Sequence, residues 1–389
     1  RSWQGPAILS FGFRPFFLFG ALWAGLAMLV WIGLLAGTWE VPSRFSAVDW
    51  HAHAMLFGYL GAVIAGFLLT AVPNWTGRLP VVGWWLGGLF GLWLLGRVAV
   101  TVSALFPAWV GIAADLSFPV ALAALILREI VAGRNWRNLI VLALLAVFAL
   151  ANLLFHIEAV RGGLAAQGIG LRLGLGTALM MIGVIGGRVV PSFTRNWLVR
   201  QGGKDLPVPP MQRFDKVVLA ISAAALLLWV ARPEGAPTGA ALIVMGVLQL
   251  ARLVRWKGML TGSEALVWVL HAGYSFVPIG ALAMGLAILL PDVVLPSGVQ
   301  HLWMAGALGL MTLAVMTRAT LGHSGQALHA GGGTTAIYAA LIASVLTRLV
   351  AAFWPVMPLY HLSAAFWMAA FLGFGALYGP LLLRARKGG

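Results

Sequence analysis

The sequence predicts an all-α polytopic membrane protein of twelve transmembrane helices. Composition, recurring apolar runs and an asymmetric spread of positive charge predict it. Of 389 residues, 61% are hydrophobic and only 9% charged, with a mean hydropathy of +0.96. A soluble domain carries about 25% charged residues, so a water-soluble enzyme is excluded. Apolar stretches of about 20 residues, the length a helix needs to cross a bilayer, recur along the chain. A net charge of +15 would suggest nucleic acid in a soluble protein. Here Lys and Arg fall between the apolar runs, where they act as topology signals; the expected partner is the lipid bilayer and not nucleic acid. The chain has no Cys, which excludes disulfides, thiolate metal sites, iron–sulfur clusters and covalently attached haem. Any metal must use His, carboxylate or Met. The chain opens on Arg1, so its natural start is expected to be missing or removed, and no cleavable signal is legible.

Apolar runs between charged or Pro/Gly-rich breaks fall at about 15–37, 52–72, 84–106, 108–127, 138–158, 169–190, 216–231, 238–254, 264–290, 298–320, 334–355 and 360–383. Alternating the sides of these spans places about 19 Lys and Arg on one face, the basic stretch from Pro191 to Lys216 among them, and only Arg44, Arg161, Arg172 and Arg232 on the other. Arg97 and Arg348 lie inside spans. The positive-inside rule then puts both termini in the cytoplasm. No region between spans is long enough for a soluble domain, so 1–389 reads as one transmembrane domain.

A weak internal repeat is visible. Counting back by one interval from Thr76, Thr194 and Ser324 lands on His53, Leu171 and His301. Three related four-helix units, about 1–127, 128–254 and 255–389, are therefore expected.

Ionisable side chains within spans are costly and usually functional. His51, His53, His156 and His301 fall near the outer ends of their spans, four imidazoles from three helices at one level. His361 is also at an outer end, His271 in the inner part of span nine, and His323 and His329 on the cytoplasmic side. Imidazole ligates haem iron and copper without adding charge; the alternative is interfacial His bonded to headgroups or carbonyls. His51 and His53 are about 200° apart on a regular helix, so the pair lies in irregular backbone or serves different partners. Arg97, Asp115 and Arg348 are the buried charges. Either an Arg neutralises haem propionates and Asp115 relays protons, or Arg97 and Asp115 form an ion pair that fixes helix packing. The 18 Trp and 20 Phe read as an aromatic belt, and the scattered Met as packing.

Several motifs resemble the NnrS family: Arg-Pro-Phe-Phe at 14–17, Trp50-His-Ala-His53, the run Ala65 to Arg78 with Pro73-Asn-Trp-Thr-Gly, Asn152-Leu-Leu-Phe-His156, Gly187-Arg-Val-Val-Pro-Ser-Phe-Thr-Arg-Asn-Trp197, and Met311 to Arg318 followed by Leu321-Gly-His323. They occur in the family's order over nearly the whole chain. The resemblance implies a bacterial inner-membrane protein with haem and copper, associated with nitric-oxide metabolism and nitrosative stress. It maps the family's residues onto His51, His53, His156, His271, His301 and His323. Where the family usually has Glu after the second His, this chain has Ala54. The architecture also looks like that of haem–copper oxidases and nitric-oxide reductases, with outer His on the second and tenth helices holding a haem. His53 and His301 are the analogous pair for a b-type haem, with Arg97 and Arg348 as its charge partners. His51 and His156 then remain for copper, with Asp115 as the intramembrane catalytic carboxylate.

The leading expectation is thus a haem/copper oxidoreductase that removes nitric oxide, resembling a nitric-oxide reductase and fed by a quinol or cytochrome. Protons would enter from the outer face past Asp49 or Glu158. Two other readings are a non-catalytic haem or copper protein (a sensor, metal-handling partner or electron carrier) and a transporter. The topology is testable because the chain supplies no background thiol. A Cys at Glu158 should react with impermeant reagents from the periplasmic side, and labelling from the cytoplasm alone contradicts the scheme.

Overall fold

The computed structural model describes residues 3–292 and 296–384; Arg1, Arg386 and Lys387, counted above among the basic residues, lie outside them. Among the described residues there is no strand, and twelve helices are long and apolar enough to cross a membrane. They are α1 (Phe13–Leu35), α2 (Ala47–Thr76), α3 (Trp84–Thr101), α4 (Ala108–Ala132), α5 (Trp136–Val160), α6 (Ile169–Arg200), α7 (Arg213–Ala231), α8 (Ala236–Val254), α9 (Ala265–Leu289), α10 (Pro296–His323), α11 (Gly332–Phe353) and α12 (Met357–Leu383). One helix meets each predicted span.

The largest departure from an expected end is in α6, and both α2 and α6 run through prolines, Pro73 and Pro191, where the sequence suggests turns. A helical proline removes one ladder bond, yet both helices continue past it, to Thr76 and to Arg200. α2 stops only at Gly77, whose φ of 69° lets its N–H close on the Pro73 carbonyl at 2.9 Å.

α2, α6 and α10 are the longest of the twelve and also the most buried. Each contains a π-helical segment, at Ala54–Tyr59, Ile182–Gly186 and Leu302–Leu310. A π turn disturbs the i→i−4 ladder, and buried carbonyls there need other donors. Trp23 and Trp93 donate their indole N–H to Ala54 O (3.0 Å) and Gly58 O (2.9 Å). Arg252 donates to Gly183 O at 2.9 Å, and the Thr312 hydroxyl to Leu308 O at 2.6 Å. In α2 and α10 the segment starts on the residue after His53 and His301.

The chain divides into two compact units. One comprises Arg1–Gly174, Ala319–Gln326 and Phe371–Gly389. In it α1 packs on α2, α3 on α4, and α4 on both α2 and α5. The buried guanidinium of Arg14 donates to the carbonyls of Leu382 (3.2 Å) and Arg384 (2.7 Å), satisfying the end of α12 with a cation where the helix dipole favours one.

The other unit comprises Leu175–Arg318 and Ala327–Ala370. There α8 packs on α7 and α9, and α10 on α9 and α11. Arg252 pairs with Asp215 at 2.9 Å and donates to the Tyr274 hydroxyl at 2.9 Å. The chain of bonds continues through Gln249 (2.8 Å) to Ser222 (2.9 Å), whose hydroxyl ends it on the Val218 carbonyl. It therefore locks α7, α8 and α9 together.

Glu264 caps α9, accepting from the amides of Leu266 and Ala330 (both 3.0 Å) and from His329 Nδ1 (2.8 Å). Burial pushes this carboxyl up, but the bonds from His329 and the two amides outweigh it and hold it below its usual 4.5. A group held lower in the folded state stabilises fully above its unfolded value and loses that contribution as pH falls through its folded value. The melting difference between wild type and Glu264→Gln should therefore be constant above pH 4.5 and shrink below it. A difference that grows on acidification contradicts this account.

Candidate metal centre

The residues that converge come from four helices of the first unit. α2 begins as a regular helix over Ala47–His53, capped by Ser46, which accepts from the Asp49 amide at 3.1 Å. Regular winding turns His51 and His53 apart, the second of the two sequence alternatives. His51 stacks on Trp31, with ring centroids 4.4 Å apart and planes 15° from parallel. His53 turns the other way and is completely buried.

Facing His53 is Asp115 on α4. Its Oδ2 accepts from His53 Nε2 (3.0 Å), His156 Nε2 (2.9 Å) and Asn152 Nδ2 (2.8 Å). Its Oδ1 accepts from the guanidinium of Arg97 on α3. His53 Nε2 also lies 2.9 Å from Asn152 Oδ1. Both neighbours of that nitrogen are acceptors, so in the neutral ring the proton is on Nε2. Nδ1 of His53 is buried without a hydrogen-bond partner among the described residues, as are Nε and Nη1 of Arg97. Asp115 and Arg97 cancel in charge, and breaking such a buried pair from one side is far more costly than replacing both partners.

Two glycines make these approaches possible. A Cβ on Gly96 would lie 2.7 Å from Asp115 Oδ1 and 3.1 Å from its Cα, and one on Gly58 would lie 2.5 Å from Arg97 Nη1. Pro119, one turn beyond Asp115, has no N–H to donate to the Asp115 carbonyl.

The structure thus brings together His53, His156, Arg97 and Asp115. It places His156 beside His53, with ring centroids 5.1 Å apart, where the sequence paired it with His51. Arg97 meets Asp115, as the ion-pair alternative has it. Arg348 lies over the Tyr360 ring at 5.1 Å. His301 Nδ1 donates to Ser297 O at 2.8 Å, which puts the neutral ring's lone pair on Nε2. His271 Nε2 is 2.7 Å from Thr194 Oγ1, and His323 packs near Phe13 with centroids 5.3 Å apart. Asp49 and Glu158 act as caps, accepting from the amides of Ala166 (2.6 Å) and of Ile169 and Gly170 (2.7 and 3.1 Å). Sequence reasoning gave Asn152 no role, although it lies four residues before His156 and hence on the same helical face. Gly58 and Gly96 were missed because no residue pattern marks a close approach.

The donor set of His53, Asp115 and His156, buried and with ligand atoms within 4.8 Å of one another, suits copper. Were His53 and His156 to hold a metal through Nε2 with Asp115 Oδ2, each imidazole would carry its proton on Nδ1 and Arg97 would keep Oδ1. A porphyrin does not fit at His53, where the rings of Phe45, Phe57 and Phe155 pack against the imidazole at centroid distances of 5.3, 5.3 and 5.5 Å.

Fold and site define a multi-pass helical membrane protein with a buried histidine–carboxylate cluster in one of its units. Residues 7–386 match the family described as "NnrS protein". The chain belongs to the NnrS family, whose association with haem, copper and nitric oxide makes this a protein of nitric-oxide-related haem/copper chemistry. No curated protein matches it in sequence.

Asp115→Asn should cost about 3–5 kcal/mol by stranding the Arg97 charge, and adding Arg97→Gln should recover most of it. Unfolding in mixed micelles measures both. Additive losses in the double variant contradict the assigned pairing.

Proposed function

We propose that the protein binds copper through His53, Asp115 and His156 and acts on nitric oxide as an oxidoreductase that removes it under nitrosative stress. The observation that carries this reading is the convergence of two imidazoles and a carboxylate at a buried point of a chain belonging to the NnrS family. When bound, copper supplies a Lewis acid and a one-electron partner. Arg97 orients Asp115 by holding Oδ1, and the side chains around His53 and His156 exclude water. Phe45 packs against both imidazoles, at 5.3 and 5.2 Å. Asn152 spans the carboxylate and His53, fixing the ring's rotation. Haem belongs elsewhere in the chain, and the tautomer of His301 suits its Nε2 to iron. Protein of this kind resides in the bacterial inner membrane with its basic faces and both termini in the cytoplasm, and draws electrons from a quinol or cytochrome. The three-unit repeat is supported by the π segments of α2, α6 and α10.

A non-catalytic role is favoured by one observation: both oxygens of Asp115 accept from side-chain donors, as a helix-locking network needs. Metal analysis and a nitric-oxide electrode separate the readings. His53→Ala and His156→Ala should each lose copper and nitric-oxide consumption, whereas His51→Ala should keep the copper. Stoichiometric copper in either of the first two variants refutes the site. Copper without nitric-oxide consumption in the wild type refutes the oxidoreductase.

A further inference from the structure

Beside the cluster, within the first unit, a narrow, partly open cleft with a cavity volume of about 10 Å³, room for one molecule of about the size of water, lies between α2, α4 and α5. Phe57 and Gly61 of α2, Phe118 and Leu122 of α4, and Phe148 of α5 form its walls. Among the described residues its polar lining is Arg97, Asp115 and Asn152, gathered at one end. α4 and α5 carry Asp115 and Asn152 towards the ends of their spans joined to Phe106 and Arg161, while Leu122 and Leu145 lie nearer mid-span. The space therefore extends from the cluster towards the middle of the membrane. Ile64 and Ala149, also in the lining, are only partly buried.

The chemistry of the lining restricts what can occupy it. Aromatic and aliphatic walls offer a water chain no hydrogen bonds, and apolar constrictions shed water. An ion would find no net charge, because Arg97 and Asp115 compensate one another. A small uncharged molecule is favoured on both counts, and such gases concentrate in the hydrocarbon core. The polar side chains Arg97, Asp115 and Asn152 give the cleft its contact with the cluster.

We propose that this cavity is the entry route and holding pocket for an uncharged diatomic gas, admitted from the bilayer core and delivered to the His53–Asp115–His156 cluster. The inference rests on the nitric-oxide reading for the identity of the gas, but the cavity can be tested without it. Gly61 is the position at which to fill it: a Cβ there would meet only Phe118 Cε1, at 3.8 Å, so Gly61→Val directs its branch into the space with little strain.

The probe is xenon, applied to the purified full-length protein without added metal. Wild type should bind xenon beside Phe57 and Phe118. Gly61→Val should abolish that signal and, in copper-loaded protein, slow nitric-oxide binding by roughly tenfold with copper content unchanged. Ala149→Ile provides a second obstruction should Gly61→Val fail to fold. Xenon uptake in His156→Ala supports the cavity even where copper and nitric-oxide binding are lost, so failure of the metal reading is distinguished from failure of this one. No xenon at this place, a lipid acyl chain filling it, or wild-type nitric-oxide binding rates in both filled variants overturns the proposal.

Discussion

A carboxylate inside a bilayer must be neutralised where it stands, and the neutralisation of Asp115 organises the first unit. Its charge requires a cation in contact, and Arg97 supplies it from the neighbouring helix. Its second oxygen requires donors in a medium without water, and His53, Asn152 and His156 provide three. Four helices are thereby held in one rotational setting. Gly96 and Gly58 are consequences of the same demand, because ordinary side chains there would collide with Asp115 and Arg97. The imidazoles that a metal would need are thus positioned by the group that would be its third ligand.

The π segment of α2 starts where the cluster ends, on the residue after His53. Its carbonyls are taken by tryptophans of α1 and α3, so the irregular helix is supported by side chains rather than strained. The second unit meets the same requirement with Arg252, which answers both the Asp215 carboxylate and the Gly183 carbonyl of a π segment. In each unit one buried arginine neutralises a carboxylate. In the first unit the carboxylate gathers histidines, whereas in the second the network closes on Tyr274, Gln249 and Ser222.

The twelve spans were legible in the sequence because hydropathy and length decide them, and each has its helix. The ion pair was legible as an alternative because Arg97 and Asp115 are rare charges in adjacent spans. Which histidines meet was not. Position along a span gives depth, so His51, His53, His156 and His301 read as one level, but helix rotation chooses among them and tertiary packing sets rotation. The 200° between His51 and His53 held the clue, realised as a regular turn facing Trp31 on one side and Asp115 on the other. The π segments carry no residue signature, and Pro73 and Pro191 read as breaks because propensity ignores the support that neighbouring helices give.

Asp115 is proposed to gather His53 and His156 into a copper site. Pulsed electron paramagnetic resonance of the Cu(II)-loaded protein tests it most directly, because the remote nitrogen of each coordinated imidazole gives a resolved coupling. Two imidazole couplings are expected in wild type and in His51→Ala, and one in the residual, substoichiometric copper of His53→Ala or His156→Ala. A spectrum without imidazole nitrogen, or one that neither substitution changes, contradicts it.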